Sequence, residues 1–150
     1  VLEKSCNYFK KVFIPQEVYQ EVMQGKEKLF PETPIVTELI KNKIILVRRI
    51  KDLDLIKKAN QFNIQKGEAE AAALYWEEKA QILATDDDNV RKKKEILNLN
   101  VIGTPAIMVK LFKNNIIGKE KATQCIIELR KIGWFSNAVL DKVVMEVENG

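Results

Sequence analysis

Four short apolar runs, at residues 11–14, 43–47, 81–84 and 100–102, punctuate the chain with little polar alternation. Such runs suit strands covered on both faces, as in a buried parallel sheet. Between them, hydrophobic positions recur at helical spacing. Pro15 and Gly25 bracket a helix predicted over residues 15–24, following the preference for proline at helix starts and glycine at ends. Further helices are predicted over residues 33–41, over 52–62 with Asp52 as its cap, over 67–79 and over 89–98. After Gly103-Thr104-Pro105 come three more, over 106–113, 119–131 and 138–148, with no strand between them. Strand-helix alternation predicts an α/β fold. No repeat, low-complexity segment or linker interrupts it, so residues 1–150 are expected to form a single domain.

Composition narrows the chemistry by exclusion. The 150 residues are 46% hydrophobic, enough for one sizeable core, and they include no histidine. Imidazole metal sites and Ser-His or Cys-His nucleophiles are therefore excluded. The two cysteines, Cys6 and Cys125, lie far apart within helical pattern and are expected to be free thiols in a reducing cytoplasm. Lys and Arg total 25 against 21 Asp and Glu, a net charge of +4 that permits a polyanionic partner without demanding one. No apolar run approaches the ~20 residues of a membrane span, and the first residues given do not read as a signal peptide. A soluble, cytoplasmic protein is expected.

The remaining chemistry lies in carboxylates near strand ends. The run at 81–84 leads directly into Thr85-Asp86-Asp87-Asp88 and then Arg91-Lys92-Lys93-Lys94. In an open parallel sheet, side chains at the carboxyl ends of strands face ligands. A hard divalent cation would relieve the repulsion among three adjacent acids. One Asp capping the following helix, with the others solvated, accounts for the same residues without a ligand. Arg91 is the best phosphate ligand of the basic run, because guanidinium offers two donors; an exposed helix face explains at least some of the lysines. Glu17 and Glu21 stand one turn apart on the helix after the first strand, and only Glu17 is accounted for by the helix dipole. In Gly67-Glu68-Ala69-Glu70, the alanines and Trp76 form a stripe for close packing, and the two acids flank opposite edges of it. First-turn charge is a sufficient structural role for both acids.

In order and spacing, Ile14-Pro15-x-x-Val18-Tyr19-x-Glu21-Val22, Gly67-Glu68-Ala69-Glu70-Ala71, Thr85-Asp86-Asp87 with Arg91, and Val101-Ile102-Gly103-Thr104 resemble the PIN-domain family. The resemblance covers nearly the whole chain and is nearest to small prokaryotic VapC-like, toxin-related members. It implies a three-layer α/β/α sandwich around a central parallel sheet, with Mg²⁺ or Mn²⁺ held by carboxylates for cleavage of RNA phosphodiesters. By motif, the catalytic acids are Glu21, Glu68 and Asp87. Asp86 joins them as a metal ligand, Thr85 and Arg91 meet substrate, and Glu70 and Asp88 are acidic neighbours. Family members open with a strand carrying an Asp. No counterpart precedes Val1, so an additional N-terminal segment is expected in the native protein.

The function expected is a metal-dependent ribonuclease with RNA as partner, the toxin of a toxin–antitoxin pair with a protein antitoxin. A non-catalytic PIN-like module for nucleic-acid binding or protein assembly is the alternative. A phosphatase-like hydrolase with an Asp nucleophile lacks its companion motifs. Apolar positions Ile107, Leu111, Ile126, Ile127, Leu129, Val139, Leu140, Val143 and Val144 exceed what a four-strand core needs, and a homodimer is expected.

Overall fold

Short apolar segments form the strands, and longer amphipathic segments form the helices, of a computed structural model that describes residues 1–27 and 33–150. Two compact units result, Phe9–Val101 and Val1–Tyr8 with Ile102–Gly150. The architecture is mixed α/β with parallel strand pairing, the class expected from the sequence.

The unit Phe9–Val101 begins with β1 (Val12–Pro15), which pairs in parallel with β2 (Ile45–Arg48), Val12 opposite Ile45 and Pro15 opposite Arg48. Pro15 therefore ends a strand and does not open the helix. Having no N–H, it fits the last rung of a ladder. The helix α2 (Gln16–Glu27) starts one residue later and runs past Gly25, contrary to the expected stop. Glycine in a helix interior costs about 1 kcal/mol relative to alanine, which is too little to end a helix held by packing. Next come α3 (Thr33–Lys41), α4 (Leu53–Gln61) and α5 (Lys66–Glu77). Asp52 caps α4 as expected, its carboxylate accepting from the Asp54 N–H.

On α5, Ala69, Ala72 and Ala73 are fully buried, and these small side chains let the helix lie close against α4, α2 and β1. They join Ala59, Ile64, Leu83, Val90, Leu97 and Leu99 in or beside the core of this unit. A second strand pair, β3 (Leu83–Ala84) with β4 (Val101–Ile102), is tied by the Leu83 N–H donating to the Asn100 carbonyl at 2.8 Å. Between them α6 spans only Asp88–Lys93, where the pattern predicted a helix to residue 98. Leu97 and Leu99 are both buried, and residues two apart cannot share one helix face. Asn98, at φ 53°, turns the chain so that both leucines point inward.

The second unit holds α1 (Leu2–Phe9, through Tyr8), α7 (Thr104–Lys113), α8 (Lys119–Ile132) and α9 (Asn137–Glu148). Its core is Met108, Leu111, Ile117, Ala122, Ile126, Val143 and Val147. Gly133, at φ 78° in the left-handed region, ends α8, and Ser136 caps α9 by accepting from the Val139 N–H. Of the apolar surplus noted in the sequence, Leu111, Ile126, Leu129, Leu140 and Val143 are buried. Ile127 and Val139 are exposed, as are Ile132 and Trp134.

Candidate active site

Three elements of the unit Phe9–Val101 bring carboxylates together. The start of α5 supplies Glu68, the turn from β3 into α6 supplies Asp86 and Asp87, and α2 supplies Glu21. Glu68 is half-buried, and burial is the largest influence raising its carboxyl above the ordinary range. The hydrogen bond from Thr85 pulls the other way, and the charges of Asp87, Glu21 and Asp86 push it further up. Charges that push the Glu68 carboxyl up must stand within electrostatic reach of it. Residues 21, 86 and 87 thus lie within electrostatic reach of Glu68, short of a three-ligand arrangement.

Thr85 joins two of these elements. Its hydroxyl donates to Glu68 Oε2 at 3.0 Å and accepts from the Asp87 backbone N–H at 3.1 Å. One hydroxyl fixes the Glu68 carboxylate against the turn that carries Asp87. Asp87 in turn caps α6, its Oδ1 accepting from the Val90 N–H at 2.8 Å. The capping role weighed from the sequence is therefore present, and a second oxygen of Asp87 takes no part in that bond.

Glu21 reaches the start of α5 because Gly67 presents no side chain there. A Cβ at Gly67 would lie 2.6 Å from Glu21 Oε1, 3.2 Å from Cδ and 3.3 Å from Oε2. Nothing in the residue pattern announces this contact. Its only trace is a glycine in the first turn of an alanine-rich helix.

Glu70 occupies the other edge of α5, away from Glu68, as the ~200° separation on a helix predicts. Its Oε2 accepts from the Glu17 backbone N–H at 2.9 Å, satisfying a free donor at the start of α2. Glu77, one further carboxylate of α5, binds the N–H groups of Lys51 and Asp52, each at 2.8 Å, just ahead of α4. These two acids anchor neighbouring helices. Asp88, exposed, lies in the first turn of α6, where its charge suits the helix dipole.

In the basic run, Lys93 donates to the Phe62 carbonyl, while Arg91, Lys92 and Lys94 are exposed. Phe13 of β1 is flanked by the Lys11 ammonium, 5.4 Å from the ring centroid, and the Arg48 guanidinium, at 5.3 Å. Both cysteines are free, Cys6 buried and Cys125 half-buried, and burial pushes both thiols up. Neither has the depressed pKa of a thiolate nucleophile.

The family profile described as a PIN domain matches residues 2–149. The chain belongs to the PIN-domain family. No match was found among curated proteins or among solved structures. Membership gives this PIN domain a nuclease-like function on nucleic acid in general terms. The donor set of its acid cluster is entirely carboxylate oxygen, which suits Mg²⁺ or Mn²⁺ in kind. Among the described residues, however, no group of three or more Cys, Asp or Glu side chains is arranged to hold a metal ion. The chemistry of the donors fits a hard cation, and the convergence of a finished cage is not in place. Among the described residues no helix is long and apolar enough to cross a membrane.

Proposed function

We propose that this PIN domain is a metal-dependent ribonuclease that cleaves RNA phosphodiesters at the cluster Glu21, Glu68, Asp86 and Asp87. The observation that carries it is the half-buried Glu68 carboxylate, held by Thr85 in the field of Glu21 from α2 and of Asp86 and Asp87 from the turn before α6. Gathering like charges raises the energy of the apo protein, and a cation bound among them would recover it. These four carboxylates are the residues that would hold Mg²⁺ or Mn²⁺. When bound, the ion supplies neutralisation of the charge developing on phosphate and activation of the attacking water.

The chain's own residues do the rest. Thr85 fixes the rotamer of Glu68, and the cap made by Asp87 Oδ1 fixes the direction of its other oxygen. Arg91, exposed on α6 one turn after Asp87, is the group we assign to a phosphate of the RNA. A VapC-like toxin role with a protein antitoxin, cytoplasmic location and a homodimer complete the proposal. Support for self-association comes from Ile127, Ile132 and Trp134, all exposed.

Single-stranded RNA incubated with the full chain and Mn²⁺, or with chelator, tests the reading. Cleavage is expected with Mn²⁺ alone. Asp87→Asn is expected to abolish it while keeping the fold, because Asn caps a helix as well as Asp does. Glu70→Gln is expected to retain it, since the amide oxygen can still accept from the Glu17 N–H. Metal-independent cleavage, or activity surviving Asp87→Asn, sinks the mechanism. Dispersal of the acids short of a three-ligand arrangement favours a second reading, a non-catalytic PIN-like module that binds nucleic acid or protein partners. Robust Mn²⁺-dependent turnover by the purified protein rejects that one.

A further inference from the structure

We propose that Gly67 is a positioning residue for the acid cluster, its missing side chain making the berth in which the Glu21 carboxylate lies. This inference rests on the proposed use of that cluster to hold a divalent cation. Gly67 is buried in the first turn of α5, immediately before Glu68. The three nearest atoms a Cβ there would meet are Oε1, Cδ and Oε2 of Glu21, at 2.6, 3.2 and 3.3 Å. Unbonded heavy atoms settle near 3.5–4.0 Å, so a methyl group and this carboxylate cannot share the space.

Other reasons for a glycine are missing. Among the described residues the glycine with positive φ is Gly133, so the backbone at Gly67 lies where any residue is comfortable. Alanine is also the better helix former. The carboxylate alone calls for glycine. It belongs to the far end of a flexible side chain on an exposed residue, so an added methyl displaces the carboxylate without displacing a helix. Gly67→Ala therefore separates the site from the fold: α5 gains helix propensity while the Glu21 carboxylate is moved from its place beside the start of α5, next to Glu68.

The experiment titrates Mn²⁺ by calorimetry into the full chain as wild type, Gly67→Ala, Glu21→Asp and the double variant, with the melting temperature of each measured in chelator. Gly67→Ala is expected to melt no lower than wild type and to bind Mn²⁺ about tenfold more weakly, the lower end of the loss typical when a ligand's supporting neighbour is altered. Shortening the acid withdraws it from the new methyl. Glu21→Asp is therefore expected to weaken binding in the wild-type background and to recover part of the lost affinity in the Gly67→Ala background. A wild type that binds and a Gly67→Ala that binds equally well overturn this inference and leave the proposed function standing. So does a Gly67→Ala that melts lower without weaker binding, which would mark a structural glycine. A wild type that binds no Mn²⁺ overturns the proposed function and this inference with it.

Discussion

At the residue scale one hydroxyl ties the acid cluster together. Thr85 donates to Glu68 and accepts from the Asp87 N–H, so it stabilises a carboxylate and a turn at once. Thr85→Val keeps the shape and removes both bonds. The Glu68 carboxyl, already raised chiefly by burial, is expected to rise further, because the lost hydrogen bond favoured its charged form. For a carboxyl raised in the folded state, the linked stabilisation is present below its unfolded pKa and is lost as pH rises through the folded one. The variant's stability should therefore fall with pH over a window extending higher than in wild type, on top of a loss of about 2 kcal/mol for the two broken bonds. A carbon-detected NMR titration of the Glu68 side chain, with urea unfolding across pH, measures both. An unmoved Glu68 titration would show that the hydroxyl is not what holds it. Sequence supplied Thr85, Glu68 and Asp87 as candidates from motif order. It could not supply their bonds, which join residues 17 apart through a turn and the first turn of a helix.

At the element scale, the same residue types divide into two duties. On α5, Glu68 faces the acids, whereas Glu70 and Glu77 satisfy backbone donors of α2 and of the segment entering α4. A helix pattern separates Glu68 from Glu70 by direction and leaves open which direction holds the site. In the other unit, the Lys113 ammonium on α7 pairs with Glu146 on α9. By hydrogen bond first and by charge second, Lys113 holds the Glu146 carboxyl below its ordinary value. A depressed carboxyl contributes stability above its unfolded pKa, lost as pH falls through the folded one. Lys113→Met is therefore expected to lower the melting temperature modestly at neutral pH. That gap should close on acidification below the carboxylate range and shrink in high salt, as for an exposed pair. A gap independent of pH would assign the loss to the lysine's alkyl packing instead.

At the scale of the whole molecule, the proposed homodimer makes its own prediction. Light scattering at micromolar concentration is expected to give twice the chain mass, and Trp134→Glu, altering a residue 80% exposed in the described chain, is expected to give the monomer. Monomer mass for the wild type counts against it. The sequence by itself determined the α/β class, the four strand positions, most helix starts and the family. These follow from short-range periodicity and from motif order, both written in consecutive residues. Boundaries went astray where a tertiary demand outweighed a local signal: Pro15 was taken by a strand ladder, Gly25 was carried through by α2, and α6 was cut short to bury Leu97 and Leu99 together. Only the tertiary structure decided which acids share a field, because Glu21, Glu68, Asp86 and Asp87 come from three elements and their approach turns on a hydroxyl at 85 and a missing methyl at 67. Periodicity tells which face of a helix is apolar. What stands across from the polar face is set by packing between elements far apart in the chain.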